Sequence, residues 1–84
     1  MKKQKLLAKI LTGSKNVSFD EMVSLVEAFG FRLSRVSGSH HIFVRGDVPE
    51  LINLQEVGGM AKPYQIRQFL KIVERYNLKI GDAS

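Results

Sequence analysis

Phe31-Arg32-Leu33-Ser34-Arg35-Val36-Ser37-Gly38-Ser39-His40-His41-Ile42-Phe43-Val44-Arg45 reads as a strand, a tight turn and a second strand. Phe31 and Leu33 alternate with Arg32 and Ser34, the period-2 pattern of a half-buried strand. Ser37-Gly38-Ser39 is the turn, and His40 to Arg45 is rich in β-branched and aromatic residues. Gly46-Asp47-Val48-Pro49 breaks that second strand. Leu51 to Gln55 supplies a third, shorter one, and Gly58-Gly59 is a flexible loop.

On the N-terminal side, Ser18-Phe19-Asp20-Glu21 is a capping box: the serine caps and the glutamate three residues later reaches back. Phe19, Met22, Val23, Val26 and Phe29 then fall on one helical stripe that Gly30 closes. Ahead of it, Lys2 to Leu11 reads as a short amphipathic helix. Leu6, Leu7, Ile10 and Leu11 form its apolar side and Lys2, Lys3, Lys5 and Lys9 its solvated side. Gly13, Ser14 and Asn16 break it. On the C-terminal side, Pro63 stands where the first turn of a helix tolerates it. Ile66, Phe69, Leu70, Val73 and Tyr76 make that helix's apolar stripe, and residues 77–84 form a tail whose Leu78 and Ile80 are able to dock. The order is helix, helix, three antiparallel strands, helix. Helices packed on one face of such a sheet give a two-layer α+β domain. The chain reads as one domain over 1–84, with an extra basic helix at 1–13 and a core at 18–76.

At 84 residues with 44% hydrophobic content, a modest core forms without staples. The chain has no cysteine, hence no disulfide framework and no thiolate metal site, which fits the cytoplasm. The apolar run after the first lysines is interrupted by Lys9, too short and too charged for a signal peptide or a membrane span. A net charge of +5 favours polyanionic partners, nucleic acid or an acidic protein.

The only two histidines, His40 and His41, follow the Gly-Ser turn. Histidine titrates nearest neutrality and is the usual proton carrier at physiological pH. Arg32, Arg35 and Arg45 flank the pair with no carboxylate between them, a setting suited to a phosphodiester. Neighbouring residues of a strand face opposite sides of its sheet. His40 and His41 are therefore poorly placed to ligate one metal, and no HExxH spacing supplies other ligands. If Phe43 points inward, His41 and Arg45 share its side and His40 lies on the open face with Ile42 and Val44. If Ile42 and Val44 point inward, the assignment reverses, and periodicity leaves both phases open. Gly38 reads as a hairpin glycine and equally as a point of close approach for a nucleic-acid backbone. Lys62-Pro63-Tyr64 is an ordinary helix start, or a phosphate site at a helix N-terminus with Lys62 beside it. Arg67 and Gln68 read as a solvated helix face.

Residues from about Phe31 to Tyr76 resemble the HicA toxin family, the small mRNA-cleaving components of HicA–HicB toxin–antitoxin systems. The resemblance rests on Gly30-Phe31, on Gly38-Ser39-His40-His41-Ile42-Phe43, and on Lys62-Pro63-Tyr64-Gln65-Ile66-Arg67-Gln68, the last similar to the longer, YcfA-like branch. It implies a double-stranded-RNA-binding-like fold, in agreement with the element order. It also implies that the catalytic histidine is the one directly after the Gly-Ser pair, His40, and that Phe43 lies in the core. The implied activity is a metal-independent endoribonuclease with no cofactor. His40 takes the proton of a ribose 2′-OH, and Gly38, Ser39, Arg35, Arg45 and Lys62 contact RNA. The implied partners are mRNA and a HicB-like antitoxin, in the cytoplasm. A non-catalytic RNA-binding or protein-interaction domain on the same fold is the alternative. Three features depart from the family pattern: the basic N-terminal helix, Arg45-Gly46-Asp47 in place of a basic-His-Pro end to the second strand, and apolar Ile42 and Val44 beside His40.

Overall fold

The computed structural model describes residues 2–13 and 16–81, with side chains from Gln4 onward. Ser14, residues 82–84 of the expected tail and the side chains of Lys2 and Lys3 lie outside the described residues. The elements are α1 (Lys2–Leu11), α2 (Phe19–Ala28), β1 (Arg32–Ser37), β2 (His40–Arg45), β3 (Val48–Val57), β4 (Met60–Ala61) and α3 (Pro63–Arg75).

Both ends of α2 are fixed by local chemistry. Ser18 Oγ accepts from the Glu21 N–H at 3.0 Å while the Glu21 carboxylate accepts from the Ser18 N–H at 2.9 Å. At the far end Gly30 takes φ +91°, and the Phe31 N–H reaches back to Val26 O while the Gly30 N–H reaches Glu27 O. This paired closure needs a left-handed residue at Gly30 and turns Phe31 into the core. Phe29, Phe31 and Phe69 meet edge to face, joining α2, the start of the sheet and α3. α1 packs against α2, burying Ile10 and half-burying Leu6 and Leu7. After α3, Leu78 is buried, Ile80 is half-buried and the Gly81 N–H donates to Ala28 O at 2.8 Å, so the segment following the last helix docks.

The sheet is antiparallel with order β1-β2-β3-β4. It has four strands where the sequence pattern indicated three. The additional strand is the two-residue β4, and Gly58-Gly59 is the tight hairpin turn that leads into it. β3 is also longer than Leu51 to Gln55. It begins at Val48, paired with Arg45 across a two-residue Gly46-Asp47 turn. Pro49 lies where the β2–β3 register slips between Phe43 and Arg45, a place where a strand has no regular ladder bond to lose.

The register settles the phase. Phe43 pairs with Ile52 and His41 with Leu54, and Phe43, Ile52 and Leu54 are all buried beneath the helices. His40, Ile42 and Asn53 therefore lie on the opposite, uncovered face. Among the described residues no helix is long and apolar enough to cross a membrane.

Candidate active site

The two histidines open β2, directly after the β1–β2 hairpin turn. Ser37 pairs with His40, leaving Gly38-Ser39 as a two-residue turn. Gly38 has φ +61°, which matches the first central position of a primed turn, where glycine is favoured. A Cβ built at Gly38 meets nothing within 4 Å, so the turn stands open to solvent. Ser39 is held by two contacts from β3 and one from β2. Its hydroxyl accepts from Gln55 Nε2 at 3.3 Å and its carbonyl accepts from the Glu56 N–H at 3.1 Å, while His41 Nδ1 stands 3.4 Å from that carbonyl. Gln55 is held in turn, because its N–H donates to Oε1 of the buried Gln65 at 2.7 Å. A chain of polar contacts thus runs from the first turn of α3 to the residue preceding His40.

His41 lies half-buried on the helix side, its ring edge-on to Phe19 at a centroid distance of 4.8 Å. His40 lies on the uncovered side, half-exposed, with Nδ1 3.0 Å from Asn53 Oδ1. Its cross-strand neighbours are Ser37 and Gln55, and Arg35 pairs with Ile42 on the same face. Arg32, paired with Val44, extends this face toward the far end of β1. None of Ser37, Gln55, Arg35 and Arg32 is acidic, and two of them are cationic. Among the described residues, no three of His, Asp and Glu converge as metal ligands would.

The other residues singled out from sequence divide. Gly38, Ser39 and Arg35 adjoin His40. Lys62 is exposed at the N-cap of α3, directly after β4, at the end of the sheet where Glu56 bonds Ser39. Arg45 is not brought to the site. Its side chain is buried on the helix side, where Nη1 donates to Phe29 O at 2.8 Å and Nε lies 2.7 Å from Asp47 Oδ1. The carbonyl left over at the end of α2 requires a donor, and Arg45 supplies it. Asn53 and Gln55 lie in no motif, and Gln65 stands in segment 62–68 with no role assigned to it. The one available signal was Asn53 itself, a residue depleted in strands, set between the strand formers Ile52 and Leu54.

The family described as HicA toxin of bacterial toxin-antitoxin matches residues 19–74, more than half of the chain. The chain belongs to the HicA toxin family. The matched span runs from the start of α2 to nearly the end of α3, so it holds the whole sheet and every residue around His40, and it leaves α1 outside. A toxin of this family implies an antitoxin partner. No curated protein and no solved structure matches the chain.

Proposed function

We propose that this HicA-family chain is a metal-independent endoribonuclease acting on mRNA, with His40 as its general base. The observation that carries the reading is the position of His40: next to the Gly-Ser turn, on the uncovered face of the sheet, half-exposed, with Arg35 on the same face. His40 takes the proton of a ribose 2′-OH. The 2′-oxygen forms a bond to the adjacent phosphorus, the bond from phosphorus to the 5′-oxygen breaks, and the leaving oxygen takes a proton from water. The products are a 2′,3′-cyclic phosphate and a 5′-OH. DNA lacks the 2′-OH and is not a substrate. Arg35 stabilises charge developing on the phosphate, Lys62 holds the flanking backbone, and the Gly38-Ser39 turn admits it closely. General-base catalysis is worth about two to four orders of magnitude in rate. A single base without a paired acid therefore makes a slow nuclease, sufficient for a toxin that acts on messages over a cell generation.

A second reading has its own support. Ile42 and Val44 are half-buried and Leu51 is exposed near His40's face, which gives that face an apolar character suited to a protein. A HicB-like antitoxin occupying it would silence the nuclease, and a domain that only binds protein or RNA would show the same surface. Cleavage of a mixed RNA by the purified protein and by His40→Ala, in the cytoplasmic pH range and with EDTA present, separates them. The nuclease reading requires cleavage by the parent with cyclic-phosphate or 3′-phosphate ends, and none by a folded His40→Ala variant. A folded His40→Ala protein that cuts as well as the parent, or products ending in 3′-OH, refutes it.

A further inference from the structure

We infer that Asn53 is the positioning residue of this site: it selects which imidazole nitrogen of His40 carries the proton, and so which one is free to act as the base. The inference rests on the reading of His40 as a general base.

The contact is between His40 Nδ1 and Asn53 Oδ1, at 3.0 Å. An amide oxygen only accepts hydrogen bonds, and a neutral imidazole has one N–H and one lone pair. The bond therefore exists only if Nδ1 carries the hydrogen. The lone pair is then on Nε2, the nitrogen at the far end of the ring from the backbone. Without a partner on Nδ1, neutral histidine in water prefers the opposite tautomer, with its lone pair on Nδ1. That nitrogen lies close to the histidine's own main chain, where a ribose hydroxyl has poor access. The nitrogen that does not touch the partner is thus set by the hydrogen bond the other one makes.

Asn53 is well placed to hold this bond. It pairs with Ile42 across the β2–β3 ladder, so it reaches His40 diagonally on the same face. Its sequence neighbours Ile52 and Leu54 are buried, at 3% and 0% exposure, which pins the strand at this point. Two residues on, the Gln55 N–H is bonded to the buried Gln65 side chain, so the segment does not slide. A strand so anchored offers the oxygen in one place. The reversed amide, with Nδ2–H pointing at His40, would leave Nε2 protonated and without a lone pair to accept a proton. The two orientations therefore predict opposite tautomers, and only one leaves Nε2 able to act as the base.

Nitrogen-15 NMR of the imidazole groups, on the full chain at a pH where His40 is neutral, reads the tautomer directly and needs no RNA. The parent should show His40 mainly as the Nδ1–H form. Asn53→Ala should revert to mainly Nε2–H, and Asn53→Asp, which keeps an acceptor oxygen, should restore Nδ1–H. In cleavage assays Asn53→Ala should lower kcat by about three- to tenfold, far less than the full worth of a general base, because a minority of molecules still carries the lone pair on Nε2. KM should stay within about threefold, since no phosphate contact is lost; a purely structural role would lower melting temperature instead, which thermal melts check. An Nε2–H parent, or a tautomer unmoved by Asn53→Ala, overturns the inference even if His40→Ala is inactive. If His40→Ala still cleaves, the nuclease reading fails instead, and the NMR result alone decides whether Asn53 orients the ring.

Discussion

Replacing Arg45 by alanine should unfold this domain more readily without touching RNA chemistry directly, the reverse of what a phosphate-binding arginine would do. The guanidinium is buried and donates from Nη1 to Phe29 O, the carbonyl at the end of α2, while Nε and Nη2 reach Asp47. Alanine leaves that carbonyl without its charged donor, a loss of about 1–3 kcal/mol for a buried acceptor. The buried methylene stem adds about 0.8 kcal/mol for each CH₂ removed from the core. Two effects work the other way. Asp47 is 59% exposed and returns to water at little cost, and the desolvation of a buried guanidinium is relieved. The net loss is about 2–3 kcal/mol, or roughly 10–20 °C of melting temperature in a domain of this size. Arg35→Ala is the matched control, because Arg35 is exposed and a surface change of this kind moves stability by about 0.5 kcal/mol at most. Thermal melts by circular dichroism, with RNA binding measured at a temperature where both variants are folded, give the comparison. Arg45→Ala should melt far lower yet bind RNA like the parent when folded, and Arg35→Ala should do the opposite. An Arg45→Ala protein that melts with the parent and loses RNA binding would refute the assignment of Arg45 to the helix end.

The remaining expectations concern the other face of the hairpin, acid and the inhibitor. His41→Ala removes an edge-on contact with Phe19, worth about 0.5–1.5 kcal/mol beyond its buried area. It should lower the melting temperature by several degrees while the cleavage rate per folded molecule stays within about tenfold, since no general base is lost. Glu50 lies below its ordinary carboxylate value because the Tyr76 hydroxyl donates to it and Arg75 pairs with it, and Glu21 is lowered by the Ser18 N–H. Depressed carboxylates stabilise the fold above their unfolded pKa and lose that contribution as pH falls through the folded one. Melting temperature should therefore be steady near neutrality and fall below about pH 4.5, and Tyr76→Phe should lower the neutral-pH melting temperature and make that acid fall smaller, because Glu50 then titrates closer to its unfolded value; a parent whose melting temperature is unchanged down to pH 3 would contradict this. Ile42→Asp should weaken capture by a HicB-like antitoxin more than Arg35→Ala does, and added salt should slow association more than it speeds dissociation. Binding kinetics across a salt series measures both.

How much of this was legible in the sequence depended on how local each cause was. The capping box at Ser18 and the closure at Gly30 are written within four or five residues, and the α2 boundaries follow from them. The strand phase was not local. β2 is apolar on both sides, with Phe43 on one and Ile42 and Val44 on the other, so its own alternation fits either orientation. Ile52 and Leu54 decide it from the neighbouring strand, through a register that periodicity does not contain. β4 is two residues long, and its pairing depends on a Gly-Gly turn that reads equally well as a loop. Arg45, beside Gly46-Asp47, has the local signature of a surface cation. Its burial arises from a helix end sixteen residues earlier. Asn53 meets His40 only because β3 folds back beside β2, so its contact is a consequence of the tertiary fold.

The same register that separates the two histidines also bears on how such a site is silenced. Ser37 pairs with His40, so His40 and Ile42 stand two residues apart on the uncovered face while His41 and Phe43 point to the helices. Two residues of strand span about 7 Å, less than the footprint of even a small protein contact. A partner that gains affinity by burying Ile42 and Val44 cannot leave the neighbouring imidazole open to an RNA backbone. Apolar residues beside the proposed base weaken the case for tight RNA binding, since a polyanion gains nothing from them. They do give an inhibitor a hold at the one place where binding and occlusion are the same event. On the proposed reading, slow cleavage and tight inhibition would both follow from one strand: a face that offers RNA a single base and a few cations, and offers a protein the apolar side chains of Ile42 and Val44.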